Sequence, residues 1–501
     1  MTFTPTPEQT AIVSAGTSSR RNLLVSALAG AAKTSTLVLL AETLTSETIL
    51  CLAFNKRIAE EMKERLPDNC TSMTLSSLGY RSWRSFISGR ITVQSGKTYF
   101  MLKDWATANL EDADEITEFW ESYEDISRAI ATAKSIGYIP EAFAHPLFRS
   151  LRTDEEFLDS IEFIPNEIQT ACIREILIDT IKRGMRGFID YDDMLYLPTL
   201  CRSCTFPQFA TVMIDEAQDL SPLNHHMLSR IVRRNAKDTG VVTNSRLIAV
   251  GDHCQSIYGF RGAAHDSMES MAPYFSMDEY ALTTSFRCPK AVVREAQWRA
   301  PAMQYPAWAI EGEVKSLVSW DATSLATSPV ILCRNNAPLI SLAFKFIRDG
   351  RYPQIVGNDL AASFQKILKK LGGAHMTQGE ALASVELWYI AAEKKTKNLA
   401  RINDIKACLL VFLEDAETLG DAQARVETIF NSSGPIKLMT GHKSKGLEFP
   451  HIYILDQHLI RMSVDGEPNL QERNLMYVMQ TRAQETLTYI TSDGWPTEEA
   501  S

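Results

Sequence analysis

The feature that most constrains this chain is a series of short apolar runs, each closed by small or charged residues and followed by a helical pattern. The most informative lies in T-V-M-I-D-E-A-Q-D-L-S-P, residues 211–222. Val212, Met213 and Ile214 deliver two adjacent carboxylates, Asp215 and Glu216, with Gln218 and Asp219 close behind. An apolar run ending in acids reads as a buried parallel strand that opens into a site at its carboxyl end. One such acid can hold Mg²⁺, a hard cation that prefers oxygen ligands, while its neighbour positions a water. For two acids alone, a solvated loop after a core strand remains the plain alternative.

The same pattern recurs. Residues 22–28 (N-L-L-V-S-A-L) read as a strand, 29–32 as a small-residue turn and 33–44 as a helix. Residues 47–53 form a second strand pattern, followed by an amphipathic stretch at 55–66. This βαβα order predicts a parallel sheet flanked by helices. From about 80 to 186 the pattern becomes helical and rich in Trp, Phe, Glu and Ala, which predicts an inserted helical subdomain. Strand patterns return at 246–250, 329–333, 352–357, 436–440, 451–455 and 486–491, with a second helical stretch from 360 to about 431. No repeat at solenoid spacing and no low-complexity tail is visible.

Size and charge set the limits. With 501 residues the chain needs about two to four domains. Its net charge of −10 offers no general attraction to nucleic acid, so any such contact must run through a local basic groove. Nine scattered cysteines suit a reducing compartment. Cys201 and Cys204 form the one close pair, without the second pair that zinc-like spacing requires. No run approaches the roughly 18–20 apolar residues of a membrane span, and the amino terminus lacks signal-peptide character. A cytoplasmic protein with no membrane contact is the expectation.

Four further stretches could carry chemistry. A-L-A-G-A-A-K-T, residues 27–34, sits between a strand and a helix, the setting of a phosphate-binding loop. Backbone N–H groups of Ala29, Gly30, Ala31 and Ala32 can face phosphate oxygens, Lys33 adds a mobile charge, and Thr34 offers a hydroxyl to Mg²⁺. The usual pattern is G-x-x-x-x-G-K-[ST]; Ala27 and Ala32 replace both glycines. An alanine-rich helix start is the alternative. G-D-H-C-Q-S-I-Y-G-F-R-G-A, residues 251–263, follows a strand end. Gln255 can bridge a phosphate oxygen and a water, Tyr258 and Phe260 suit base stacking, and Arg261 suits a phosphodiester. A glycine-punctuated surface turn would explain it too. T-G-H-K-S-K-G-L-E-F, residues 440–449, offers basic and hydroxyl groups and one acid. Arg473 and Arg482, nine residues apart on a helical pattern, join Arg287 of T-T-S-F-R-C-P as arginines able to stabilise phosphoryl transfer or simply to charge a surface.

The order of these motifs resembles the UvrD/Rep-type superfamily 1 DNA helicases, over residues 9 to about 491. D-E-A-Q-D, Q-S-I-Y-G-F-R-G-A and K-G-L-E-F carry the likeness. The resemblance implies an α/β fold of two RecA-like parallel-sheet motor domains, each of the P-loop NTPase type with a helical insertion. It divides the chain into a first motor domain at 1–80 and 187–277 with an insertion at 81–186. The second motor domain then takes 278–358 and 432–501, with a reduced insertion at 359–431 and no attached nuclease domain.

By the same resemblance, ATP and Mg²⁺ are the cofactors. Gln9 reads adenine, Phe286 stacks on it, and Ala29, Gly30, Ala31, Ala32, Lys33 and Thr34 take the phosphates. Thr34 and Asp215 hold the metal, and Glu216 orients the attacking water. Gln255 senses the γ-phosphate, Arg287 and Arg482 stabilise developing charge, and Glu448 contacts ribose. Phe54, Thr74, Tyr258, Phe260, Arg261 and His442 would contact DNA. The implied activity is ATP-dependent travel on single-stranded DNA, 3′ to 5′, with unwinding of duplex, in settings such as repair and replication. A translocase that displaces proteins without efficient unwinding is the alternative. So is a DNA-binding protein whose ATPase has decayed. The family's T-F-H motif reads T-L-S here at Thr74, so its aromatic and histidine are absent.

Overall fold

The computed structural model describes residues 4–232, 245–257, 259, 267–464 and 466–495. The chain divides into two compact units: Met1–Ala27 with Ala32–Leu282, and Leu28–Ala31 with Thr283–Ser501.

The first unit is built on a six-stranded sheet. Its strands are β1 (Asn22–Ala27), β2 (Ile49–Ala53) and β3 (Cys70–Thr74), then, after the insertion, β6 (Thr211–Ile214), β7 (Arg246–Gly251) and β8 (Met277–Leu282). Between them, β4 (Thr92–Val93) and β5 (Phe188–Ile189) pair as a two-residue ladder of their own. The order across the sheet is β3-β2-β6-β7-β1-β8, and every neighbouring pair is parallel. All residues of β2, β6 and β7 are buried, as expected of central strands covered on both faces. Residue 278, taken from the sequence as the start of the second domain, lies in β8, which pairs with β1 of this sheet.

The helical insertion has its own core. Met101, Leu102, Phe119, Ile126, Ile173 and Leu177 belong to it, and Tyr138 stacks on Phe157 with ring centroids 4.3 Å apart. A buried charge cluster ties its helices to the chain after β5. Lys97 lies 2.5 Å from Asp193, and Lys134 lies 2.6 Å from Asp190 and 2.9 Å from Asp193. Burial disfavours each charge, yet the pairing wins for two of them. Asp193 is held below the usual carboxylate range by Lys134 and Lys97, and Lys134 is held up by Asp193 and Asp190. Lys97 is pulled below the ordinary lysine value by burial.

The second unit carries β9 (Glu313–Ser316), β10 (Val330–Cys333), β11 (Pro353–Ile355), β12 (Ile436–Thr440), β13 (Phe449–Leu455) and β16 (Ala483–Ile490) in one sheet. Their order is β11-β12-β10-β13-β16-β9, again parallel throughout. The hairpin β14 (Ser463–Val464) and β15 (Glu467–Pro468) stands apart. The helices spanning 358–431 share one hydrophobic core with the sheet: Phe364, Leu409 and Val426 cluster with Ile331, Phe346 and Leu438. Two parallel-sheet α/β domains are therefore the observed class. Among the described residues no helix is long and apolar enough to cross a membrane.

Candidate nucleotide site

In the first sheet β6, β7 and β1 are adjacent, so their carboxyl ends gather the segments that follow each of them. Such an edge is where open parallel sheets bind ligands. After β1 the chain turns at Gly30, φ +74°, and Ala31 N–H donates to Leu28 O at 3.0 Å. Ala32 then adopts φ 58°, ψ 40°, the left-handed conformation that glycine would take without strain. The alanine that replaces glycine in the motif thus keeps a glycine-like backbone. From there the helix Lys33–Thr43 starts without a side-chain cap. Its first-turn amides and dipole favour an anion.

The residues after β6 meet this helix start. Lys33 Nζ lies 2.9 Å from Glu216 Oε2, and Thr34 Oγ1 donates to Asp215 Oδ2 at 2.8 Å. Glu216 also has a left-handed backbone, φ 56°, and its N–H donates to Asp215 Oδ1 at 2.9 Å. Burial opposes the charge on Lys33, but Glu216, Asp215 and Asp252 outweigh it and hold the ammonium above its ordinary value. Burial pushes the Asp215 carboxyl up, and neighbouring Glu216 pushes it further. A hydroxyl and two carboxylates converge beside one ammonium. That donor set fits a hard divalent cation together with a phosphate chain.

Two residues without an assigned role link this centre to Gln255. Gln218 Nε2 donates to Glu216 Oε2 at 2.5 Å, and its Oε1 accepts from Asp252 N–H at 3.0 Å. Asp252 Oδ2 in turn accepts from Gln255 Nε2 at 2.7 Å. A Cβ at Gly251 would stand 2.5 Å from Gln218 Oε1, so a glycine is needed where the link passes. The spacing D-E-A-Q contained the signal, but only the β6–β7 pairing shows what Gln218 reaches.

The remaining predicted positions are scattered more widely. Gln9 is buried: its Oε1 accepts from Thr6 N–H at 3.0 Å in a capping box, and its Nε2 donates to Thr36 Oγ1 at 3.0 Å. Phe54 is exposed and borders a cavity of about 300 Å³ shared with Lys134, Asp192, Asp219, Ser221 and Asn224. Thr74 caps the helix Leu75–Ile87. In the second unit Phe286 stacks on Trp308, centroids 6.3 Å apart. Arg287 forms an ion pair with Glu448, and its buried Nε has no partner among the described residues. Arg482 is buried; its Nε donates to Val478 O at 2.9 Å and its NH1 to Leu447 O at 3.2 Å. Burial, reinforced by Arg287, draws its value down to about 10. His442 is half-buried in the short helix Gly441–Ser444. Tyr258, Phe260 and Arg261 lie outside the described residues.

Comparison with known proteins settles the lineage. The family model for the UvrD/REP helicase N-terminal domain matches residues 6–276, and that for the UvrD-like helicase C-terminal domain matches 309–494. The chain belongs to the UvrD/REP helicase family. Among its relatives, F-box DNA helicase protein 1 of Schizosaccharomyces pombe is 24% identical over 96% of this chain and 57% of its own length. A probable DNA helicase II homolog of Mycoplasma pneumoniae is 22% identical over 50% of this chain and 34% of its own length. The ATP-dependent DNA helicase Rep of Escherichia coli is 35% identical over 20% of this chain and 17% of its own. The chain thus spans about a third to somewhat over half the length of the first two of these UvrD/REP relatives.

Proposed function

We propose that this UvrD/REP family member hydrolyses ATP and uses the free energy to move along single-stranded DNA, 3′ to 5′, separating duplex ahead of it. The observation that carries the reading is the meeting of Lys33 with Glu216 and of Thr34 with Asp215, at 2.9 and 2.8 Å. Lys33 and the amides of the loop 29–32 bind the phosphate chain. Thr34 and Asp215 would hold Mg²⁺, which when bound neutralises phosphate charge. Glu216 is left to orient the attacking water and accept its proton, while Gln255, held by Asp252, senses the terminal phosphate. Arg287 and Arg482 stabilise the charge that develops on transfer, chiefly by position and electrostatics. Gln9, Phe286 and Glu448 hold the nucleoside, and Phe54, Thr74, Tyr258, Phe260, Arg261 and His442 line the path of the strand. The left-handed backbone at Ala32 supports an active loop over a decayed one.

The reading is tested by ATP turnover with and without single-stranded DNA, for the native chain and Glu216→Gln. DNA-stimulated turnover is expected in the first and a loss of at least ~100-fold in the second, with nucleotide affinity kept within a few-fold. Absence of DNA-stimulated turnover in the native chain refutes it. One observation favours a translocase that strips proteins without efficient unwinding. The helices at 358–431 share their core with the second sheet and so do not form a separately cored body. A duplex with a 3′ overhang distinguishes the two: strand separation supports the helicase, protein displacement alone the translocase.

A further inference from the structure

We propose that Asp252, His253 and Cys254 form a binding site for a borderline-soft divalent cation of the Zn²⁺ class. A carboxylate oxygen of Asp252, a ring nitrogen of His253 and the Cys254 sulfur all lie within 4.8 Å of one another. His253 Nε2 and Cys254 Sγ are 3.3 Å apart. Tetrahedral zinc, with Zn–S of ~2.3 Å and Zn–N of ~2.0–2.1 Å, separates such a pair by ~3.5 Å. The sulfur–nitrogen edge of the tetrahedron is therefore nearly formed, and only the carboxylate has to close in.

The histidine is also held as metal-bound histidines are. Its other nitrogen, Nδ1, lies 3.2 Å from Ser26 Oγ at the end of β1, which fixes the ring and, with the proton on Nδ1, directs the Nε2 lone pair to the side where Cys254 Sγ lies. Asp252 and Cys254 are buried, while half-buried His253 gives access and leaves the fourth position to water. The nitrogen and sulfur donors separate this site from Thr34 and Asp215. Mg²⁺ asks for oxygen ligands in octahedral geometry, whereas thiolate and imidazole suit zinc. On binding, the thiol proton of Cys254 leaves to solvent and the sulfur ligates as thiolate.

The site lies on the link to Gln255. Asp252 Oδ2 accepts from Gln255 Nε2, so a carboxylate drawn toward a metal releases that amide. Bound zinc would then slow ATP turnover, a consequence that rests on the function proposed above, whereas the binding itself does not.

The test is competition for Zn²⁺ between the purified chain and a chromophoric chelator, in the native protein and in four variants. Cys254→Ser and His253→Gln are each expected to weaken one zinc equivalent at least ~10-fold. Ser26→Ala should weaken it by ~10-fold, the scale of losing an outer-shell partner. Cys201→Ser, which opens the chain's one close cysteine pair, should leave it unchanged. Because His253 is half-buried, His253→Gln preserves the test should Cys254→Ser fail to fold. Equal affinity in all five proteins, no binding, or loss in Cys201→Ser alone would overturn the site and leave a thiol–imidazole hydrogen bond in its place. Zinc should also inhibit turnover of the native chain and spare His253→Gln. Binding without inhibition overturns the coupling. Absence of turnover before zinc is added defeats the hydrolysis reading and leaves the binding result standing.

Discussion

Replacing Ala32 by glycine should stabilise the protein, against the usual expectation for a glycine substitution. Ala32 stands at φ 58°, ψ 40°, immediately before the helix Lys33–Thr43. A left-handed residue with a Cβ costs about 1–2 kcal/mol, and glycine removes that cost. Glycine also loosens the unfolded chain, a penalty of about 0.4–1 kcal/mol. The difference leaves a net gain of about 0.5–1 kcal/mol, or a rise in melting temperature of ~1–4 °C for units of this size. Ala31 is the internal control. It is buried and is absent from the positive-φ positions, so Ala31→Gly carries the unfolded-state penalty with no strain to relieve. Urea unfolding of the native chain and both variants, with slopes compared to confirm equal exposed surface, measures the pair. The expected order is Ala32→Gly above native above Ala31→Gly. If Ala32→Gly falls to the level of Ala31→Gly, the left-handed assignment at residue 32 is wrong, and with it the claim that alanine serves there in glycine's stead.

Other perturbations address the remaining parts. Gln218→Ala removes the link between Glu216 and Asp252 and should lower ATP turnover by ~10-fold with nucleotide affinity unchanged; an unchanged rate would show the link to be structural only. Asp193→Asn leaves Lys97 and Lys134 short of a buried counter-charge and should cost about 3–5 kcal/mol at neutral pH in a denaturation assay. The Asp193 carboxyl is depressed in the folded state. Its contribution is therefore fully present above the ordinary aspartate value of about 3.9 and is lost as pH falls through the lower folded value. The native–variant gap should accordingly close only in strong acid. Arg482→Lys loses the planar donors that serve Val478 O and Leu447 O and should cost about 1.5–3 kcal/mol; its turnover, compared with its melting temperature, separates loss of charge stabilisation from loss of fold.

The central strands were legible because burial on both faces demands continuous apolar sequence. T-V-M-I at β6, I-L-C-L-A at β2 and V-I-L-C at β10 are buried along their whole length. Within the two six-stranded sheets, the strands that sequence reading passed over, β3, β8 and β9, all stand at the edges. C-T-S-M-T is partly buried throughout, M-D-E-Y-A-L is buried only at its two ends, and E-V-K-S is largely exposed, so no apolar run marks them. The end of the first unit at Leu282 went unread for that reason.

The sequence by itself determined the parallel-sheet class and the chemical types at the candidate site, since residue identity fixes which groups can take phosphate, metal or proton. It could not say which of those groups meet. Residues 34 and 215 are far apart along the chain and lie 2.8 Å apart at their oxygens because β1, β7 and β6 are consecutive in the sheet. Strand order likewise decides that Gln218 reaches Asp252. The pairing of Arg287 with Glu448, two residues read separately from their motifs, is a tertiary fact as well. At Ala32 the sequence showed only a missing glycine. The backbone angle, imposed by the turn from β1 into its helix, showed that the conformation had been kept and the strain accepted.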